Sequence, residues 1–216
     1  MFGPYQALLF DMDGTLLTSK ASVARAWHAW SERNGLPAIE VVDYLHGRRA
    51  SDVVDYFLPR LSPDHRRQEI DWVESLEAKD TSDVSEVPGA RSFLMSLPSQ
   101  CWAVATSAAR RPAIRRIEAA GLPIPPVLIA AEDVAVGKPD PSGYLLAAKR
   151  LGVDPSCCLV FEDSPAGVAA GLASHAAVAV VAVPGEMNNP AVLIRIEDYR
   201  HLTVDVRGDG IAIHCG

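Results

Sequence analysis

Five short apolar runs, separated by helical patterns, limit the folds open to this chain more than any other feature. The runs lie at Ala7–Phe10, Trp102–Ala105, Val127–Ala130, Leu159–Phe161 and Val178–Val183. Continuous apolar runs of this length suit strands that are covered on both faces, as in a parallel sheet. Their alternation with helices predicts an α/β fold with a doubly wound parallel sheet.

Three of the helical patterns carry residues typical of helix ends. Arg111–Ala120 is followed by Gly121 and Pro141–Leu151 by Gly152, and glycine favours the helix C-terminus. Ser164–Ala173 begins with serine and then proline, which favour the N-cap and the first helical position. A helix is therefore expected after each of three later strands.

The stretch from Lys20 to Val84 contains no run of strand character, and it holds three of the four tryptophans. Its patterns predict four helices, at Ala21–Asn34, Ile39–Leu45, Ser51–Leu58 and Pro63–Lys79. Because these helices follow the first strand, we predict an inserted helical domain of residues 18–84 in a core domain of residues 1–17 and 85–216. Near the end of the chain, LTVDVRGDGIAIHC alternates around Gly208–Gly210 and predicts a β-hairpin.

Charge and cysteine content narrow the classes of function. The net charge is −7, whereas binding to nucleic acid or to an anionic membrane requires a basic surface. No apolar run reaches the ~18 residues of a membrane span, and no leader segment is evident. The four cysteines lack metal-binding spacing and read as buried thiols in a reducing compartment. We expect a cytoplasmic protein, a monomer or weak homodimer, that acts on a small molecule.

Polar residues collect where the predicted strands end. Four are carboxylates, one is a lysine and two are hydroxyls: Asp11, Asp13, Thr106, Ser107, Lys138, Glu162 and Asp163. The carboxyl ends of parallel strands meet at one edge of a sheet, so these side chains should lie close together. Four buried carboxylates repel each other, and one lysine does not balance their charge. A bound cation would supply the missing positive charge. Carboxylate oxygens are the ligands that Mg²⁺ prefers, and the sequence therefore predicts a magnesium site.

These motifs resemble the haloacid dehalogenase superfamily of phosphohydrolases over nearly the whole chain. DMDGT at Asp11–Thr15 matches the DxDGT signature of that family, and Thr106, Gly137–Pro139 and Glu162–Asp163 follow in the family's order. The inserted helices match the small cap of many members. The resemblance implies a Rossmann-like core and Mg²⁺-dependent hydrolysis of phosphate esters.

The resemblance also implies roles for the acids. Asp11 would be the nucleophile that forms an aspartyl-phosphate. Asp13 would be the general acid–base, oriented by Thr15, and would give its backbone carbonyl to the metal. Glu162 and Asp163 would hold Mg²⁺ together with Asp11. Because Asp13 is retained, the expected leaving group is one that needs a proton, such as a sugar alkoxide.

The substrate would be held by two further sets of residues. Thr106, Ser107 and Lys138 would bind the phosphoryl group. In the cap, His46, Arg48 and Arg49 surround Gly47, and either they are solvated surface residues or they read the rest of the substrate. The late cap residue Glu77 is a further candidate for a sugar hydroxyl. The cap loop and the tail resemble the sugar and polyol phosphatase branch, which predicts hexose or hexitol phosphates as substrates.

Two alternatives remain open at this point. The β-phosphoglucomutases are relatives with nearly the same scaffold, but they carry a hinge threonine and then a histidine where this chain has Ser19 and Val23. The other alternative is a non-catalytic binding protein that keeps the fold. The full set of acids argues against it, because such a protein has no need of both Asp11 and Asp13.

Overall fold

A computed structural model describes residues 1–181, 191–208 and 210–216. The strands, in chain order, are β1 Phe2–Tyr5, β2 Ala7–Phe10, β3 Leu17–Thr18, β4 Ser85–Glu86, β5 Trp102–Ala105, β6 Leu128–Ile129, β7 Cys158–Glu162, β8 Ala177–Val181, β9 Ile194–Ile196, β10 Leu202–Arg207 and β11 Gly210–Cys215. The α-helices are α1 Lys20–Asn34, α2 Ala38–Leu45, α3 Ala50–Phe57, α4 Pro63–Lys79, α5 Ala90–Met95, α6 Arg110–Ala119, α7 Ser142–Leu151 and α8 Pro165–Ala173.

Six of these strands form a parallel sheet in the order β6-β5-β2-β7-β8-β9. The first strand of the sheet, β2, lies near its centre, and Leu9 pairs with Ala103 on one side and Val160 on the other. The chain first builds outward through β5 and β6 and then returns to continue through β7 and β8. The predicted doubly wound α/β fold is confirmed. Its topological switch point lies at the carboxyl end of β2, where such folds bind ligands.

The sheet is covered on both faces, which explains the unbroken apolar runs. Along β2, Leu8 and Phe10 belong to one core cluster and Leu9 to the other, since successive side chains point to opposite faces. All three are inaccessible to solvent. The ring of Phe10 stacks on Phe161 of β7, with centroids 4.9 Å apart. This packing fixes the strand that delivers Asp11.

Helix ends follow the predicted capping residues. The Ser164 hydroxyl accepts a hydrogen bond from the Gly167 backbone N–H at 3.0 Å, and so caps α8. Gly152 ends α7 in the left-handed conformation, with φ of 74°. Helix α6 ends one residue earlier than predicted, and the left-handed Gly121 follows it.

The four helices of residues 20–79 have a hydrophobic cluster of their own. Trp27, Trp30, Val53, Val54 and Val73 are all fully buried in it. The segment entering these helices, β3, pairs antiparallel with the segment leaving them, β4. The helical insertion therefore joins the sheet domain through a two-stranded ribbon of two residues each.

Some elements differ from the sequence prediction. The third apolar run forms only the two-residue strand β6, and Ala182 and Val183, at the end of the fifth run, lie outside the described residues. The β10–β11 hairpin is present, although Asp209 of its turn is outside the described residues. Strand β1 was not predicted and pairs with β11 in a separate three-stranded sheet. Among the described residues, no helix is long and apolar enough to cross a membrane.

Candidate active site

Three acids meet at the carboxyl ends of β2 and β7. Asp11 directly follows β2, Glu162 is the last residue of β7, and Asp163 follows it. One carboxylate oxygen from each lies within 4.8 Å of the other two. Gly14 makes room for this arrangement, because a Cβ at that position would lie 1.9 Å from Asp163 Oδ2. With φ of 89°, Gly14 also adopts a conformation that other residues avoid.

Glu162 is inaccessible to solvent, and hydrogen bonds hold both of its oxygens. Oε2 accepts from the backbone N–H groups of Asp163 and Ser164, at 2.9 and 3.0 Å, and from the Ser164 hydroxyl at 3.1 Å. Oε1 accepts from the Tyr144 hydroxyl at 2.8 Å and from Lys138 Nζ at 2.5 Å. A carboxylate with this many donors is held in one orientation.

Burial and mutual repulsion dominate the electrostatics of this cluster. Burial raises the pKa of Asp11 well above its usual range, and Lys138 only partly opposes the shift. Burial, followed by the charge of Glu162, raises the pKa of Asp163 to about 7. Burial would lower the pKa of Lys138, but the carboxylates of Asp11 and Glu162 raise it above its usual value. Lys138 and Lys20, whose charge also acts on Asp163, do not balance the three acids, so the donor set fits a hard divalent cation such as Mg²⁺.

Asp13 is not a member of this group of three acids, and it has two partners of its own. Its Oδ1 accepts from the Ser19 hydroxyl at 2.5 Å, and its Oδ2 accepts from Arg116 Nη1 at 3.0 Å. The expectation that Thr15 orients Asp13 is wrong, because the Thr15 hydroxyl is buried and makes no hydrogen bond within the described part of the chain. Ser19 and Arg116 hold Asp13 instead.

The sequence reading did not single out Arg116, which lies on α6 and is only 3% exposed. Its Nη2 lies 3.0 Å from Glu77 Oε2 on α4, and Glu77 Oε1 accepts from Trp27 Nε1 at 2.8 Å. One signal was available: Arg116 falls on the same helix face as the buried Pro112 and Ala113, four and three residues earlier. An arginine at a core-facing position requires a buried acidic partner.

The predicted phosphoryl-binding residues lie at the same edge. Thr106 directly follows β5 and is buried, and its hydroxyl accepts from the Ala108 backbone N–H at 3.1 Å. The Ser107 hydroxyl donates to the Gly47 carbonyl of the helical insertion at 2.9 Å. Lys138 Nζ donates to Asp11 Oδ1 as well as to Glu162. The structure thus brings Thr106, Ser107 and Lys138 together with the acids.

The three cap candidates have different surroundings. A cavity of about 150 Å³ between the insertion and the sheet edge is lined by Asp11, Asp13, His46 and Arg48, among others. The Arg48 guanidinium also lies over the Tyr44 ring, 4.2 Å from its centroid.

Arg49 is absent from the lining of this cavity. It pairs with Asp52 at 2.7 and 2.9 Å and donates to the carbonyls of Val134 and Ala135 at 3.1 and 3.0 Å. Its guanidinium is therefore engaged by one carboxylate of the insertion and two backbone carbonyls of the core. Its surroundings therefore favour a contact between insertion and core over a contact with substrate.

Fold and site together define a class: a capped α/β enzyme with an acidic centre at the switch point of a parallel sheet. The chain belongs to the haloacid dehalogenase-like hydrolases, and the model of that family matches residues 5–175. This membership confirms the family resemblance read from the DMDGT motif.

Named relatives and a solved structure support the assignment. Hexitol phosphatase A of Escherichia coli K12 is 40% identical over 183 residues, which cover 84% of this chain and 85% of that protein. Glycerol-1-phosphate phosphohydrolase 2 of Saccharomyces cerevisiae is 36% identical over 84% of this chain and 76% of its own length. The crystal structure of a hydrolase from Pseudomonas syringae covers 89% of this chain and 94% of its own, with a TM-score of 0.78 and 23% identity. That last likeness concerns the fold.

Proposed function

We propose that this protein is a Mg²⁺-dependent phosphatase that hydrolyses small sugar or polyol phosphates through an aspartyl-phosphate on Asp11. The observation that carries the proposal is that Asp11 and Asp13, although only two residues apart in the sequence, have different surroundings. Asp11 belongs to the buried acidic cluster with Glu162 and Asp163, whereas Asp13 lies outside it with its own partners and lines the cavity. A nucleophile and a general acid require such different surroundings. The names of the relatives support the substrate class.

The residues for the metal are those of the acidic cluster. Asp11 and Asp163 would offer carboxylate oxygens, and Asp13 its backbone carbonyl. Glu162, which belongs to the same cluster and accepts five hydrogen bonds, would complete the set of acids around the ion and also hold Lys138. Bound Mg²⁺ reduces the repulsion between the attacking carboxylate and the phosphate.

The chain's own groups account for both chemical steps. An Asp11 oxygen attacks phosphorus, the bond to the leaving oxygen breaks, and Asp13 gives that oxygen its proton. Asp13 then takes a proton from the water that attacks the aspartyl-phosphate, which releases inorganic phosphate and restores Asp11. Thr106 and Lys138 would donate to the phosphoryl oxygens, where negative charge develops.

The helices of the insertion would serve as the cap, with the division at residues 18–84 and a core of 1–17 and 85–216. Two contacts support a cap that rests on the active site: Ser107 with the Gly47 carbonyl, and Arg49 with the carbonyls of Val134 and Ala135. His46 and Arg48 would then read the sugar or polyol, because the core binds only the phosphoryl group. The ribbon of β3 and β4 would be the hinge.

We also propose that the protein works in the cytoplasm, as a monomer or weak homodimer. All four cysteines are free thiols in this structure, as a reducing compartment allows. The partner would be a small phosphorylated molecule rather than nucleic acid or a membrane.

A substrate panel tests the proposal. Hexitol, hexose and glycerol phosphates are incubated with Mg²⁺ and scored for both free phosphate and isomerised sugar phosphate. The proposal expects free phosphate. Isomerisation without release would favour the phosphomutase alternative, which the sequence disfavours because Val23, at the position where the resemblance places the mutases' histidine, carries no proton-transfer group. Absence of both products would leave the binding-protein alternative.

A further inference from the structure

A chain of buried polar contacts connects Asp13 to two cap helices. Arg116 on α6 donates to Asp13, its other terminal nitrogen lies 3.0 Å from Glu77 on α4, and Glu77 accepts from Trp27 on α1. We call these four residues the Asp13–Trp27 chain. Arg116, Glu77 and Trp27 are 3%, 7% and 0% exposed, so the chain is largely shielded from water.

Arg116 has no other means of support among the described residues. Its Nε and Nη2 are buried and make no aligned hydrogen bond with any of them, so the contact with Glu77 is an ion pair without ideal geometry. The carboxylates of Asp13 and Glu77 outweigh the effect of burial and hold the pKa of Arg116 above its usual value. Removing either carboxylate would therefore leave a buried guanidinium with one partner, which is strongly unfavourable.

The two partners of Asp13 both depend on the position of the cap. Ser19 precedes α1 in the segment that leads into the cap, and Arg116, although it belongs to the core, is held by Glu77 of α4. If the cap moves away, Ser19 shifts and Arg116 loses Glu77. Asp13 then keeps only its contact with Arg116, whose guanidinium is no longer fixed by Glu77, while the Asp11 cluster, which is made wholly from core residues, is unaffected.

We propose that Arg116, held by Glu77, is a positioning residue that aligns Asp13 with the leaving-group oxygen when the cap is seated. The inference rests on the proposed phosphatase function, and it goes beyond it by assigning alignment of the general acid to a cap–core ion pair. A substrate whose leaving group needs a proton must then wait for the seated cap. A substrate with a good leaving group does not.

The test is a leaving-group comparison. With Mg²⁺ present, kcat/KM is measured for a hexitol phosphate and for p-nitrophenyl phosphate in the wild type and in Glu77→Gln, Arg116→Lys and the double variant. The value of kcat/KM depends only on the steps up to departure of the leaving group, so it is not affected by the rate at which the aspartyl-phosphate is hydrolysed. Glutamine keeps the shape of Glu77, and lysine keeps the charge of Arg116 without its planar fork. Arg115→Gln is the matched control, since Arg115 lies on the same helix, is exposed and pairs with Glu118.

We expect Glu77→Gln and Arg116→Lys each to lower kcat/KM for the hexitol phosphate by about tenfold or more, part of the roughly 10²–10⁴ that a general acid contributes. For p-nitrophenyl phosphate we expect a loss below about threefold, because nitrophenolate leaves with little help from an acid. The double variant should lose little more than either single variant, as expected for residues that act as a unit. Arg115→Gln should match the wild type.

Equal losses on the two substrates would overturn the inference, because they would mean a purely structural role. Glu77 and Arg116 also line the substrate cavity, so glycerol phosphate is measured as a third substrate with a similar alkoxide leaving group. A loss on the hexitol phosphate that is absent from glycerol phosphate would also overturn the inference, because it would mean direct contact with the sugar hydroxyls. Fully additive losses, or none, would overturn it as well. If Arg116→Lys does not fold, Glu77→Gln alone decides the question by the same ratio. A wild type that releases phosphate from neither substrate would instead refute the proposed function itself.

Discussion

Asp11 and Asp13 are identical residues that lie in different surroundings, and the proposed function gives them different tasks. Asp11 lies among Glu162, Asp163 and Lys138, where burial raises its pKa and a cation is needed. Asp13 is bound by one hydroxyl and one guanidinium and lines the cavity. The first surroundings suit a nucleophile beside a metal, and the second suit a group that exchanges protons with substrate and water.

Replacing Asp13 should reveal its role through the leaving group. Asp13→Asn keeps the size of the side chain but cannot donate an acidic proton. We expect kcat/KM for a hexitol phosphate to fall by roughly 10²–10⁴. The loss with p-nitrophenyl phosphate should be much smaller. If both substrates lost the same factor, Asp13 would not be the general acid.

Mg²⁺ affinity should depend on pH because the acids of the site bind protons in the absence of metal. Burial raises the pKa of Asp163 to about 7, so protons compete with the cation below that value. The ionised fraction of a group with this pKa rises about tenfold between about pH 6 and about pH 8. We expect Mg²⁺ to bind about tenfold more tightly at the higher pH, with protons released on binding. Calorimetry in buffers of different ionisation enthalpy measures both, and an affinity independent of pH would contradict the account.

At the scale of elements, the loop after β2 requires glycine at position 14 because Asp163 packs directly against it. Gly14 has φ of 89°, and a Cβ there would overlap Asp163. Gly152, which ends α7, has a similar φ of 74° but open space around it. A comparison of alanine variants at Gly14 and Gly152 therefore distinguishes the effect of backbone strain from the effect of a steric conflict with Asp163.

Gly14→Ala and Gly152→Ala form a matched pair of variants. Both should lose about 1 kcal/mol or more of unfolding free energy, because alanine disfavours a positive φ. Only Gly14→Ala should also displace Asp163 and weaken Mg²⁺ binding. Denaturant unfolding and Mg²⁺ titration of both variants make the comparison. Normal Mg²⁺ affinity in Gly14→Ala would show that the loop can yield without loss of the site.

The sequence predicted the elements that carry the acids because two simple patterns determine them. Unbroken apolar runs identify buried parallel strands, and the residues after such strands meet at one edge, so Asp11, Glu162 and Asp163 were expected together and lie together. Strand β1 escaped prediction because FGPY contains glycine and proline and gains its pairing only from the distant β11.

The contacts of Asp13 were beyond this reasoning. Arg116, Glu77 and Ser19 come from three separate segments, and only the packing of α4 against α6 brings the first two together. A helix-face pattern can show that Arg116 is buried, but it does not identify the partner. Thr15 was the nearer choice by sequence, and the fold selected Ser19 instead.

At the scale of the whole molecule, the division of labour lies between sheet edge and insertion. The sheet edge would supply the groups for the proposed phosphoryl chemistry, and His46 and Arg48 of the insertion line the same cavity. Arg48 lines that cavity, whereas Arg49 is engaged by Asp52 and two core carbonyls. The two neighbouring arginines should therefore respond differently to substitution.

Arg48→Ala should change the ranking of kcat/KM among hexose, hexitol and glycerol phosphates. The loss of a charged hydrogen bond to substrate costs about 1.5–3 kcal/mol, roughly ten- to a hundredfold. The p-nitrophenyl phosphate rate should be nearly unchanged. Arg49→Ala should instead lower activity on all sugar phosphates without reordering them, because it loosens a cap–core contact. Arg67→Ala, an exposed change on α4, is the control, and an unchanged ranking in Arg48→Ala would remove Arg48 from the specificity site.

The covalent intermediate on Asp11 is the central claim, and rapid-quench labelling tests it most directly. The enzyme is mixed with Mg²⁺ and a hexitol phosphate labelled in its phosphoryl group, quenched in acid during turnover, digested and analysed by mass spectrometry. We expect a phosphoryl group on the peptide that contains Asp11, formed and lost at rates compatible with turnover and absent from Asp11→Asn. Turnover with no labelled peptide, or with the label on another residue, would contradict it.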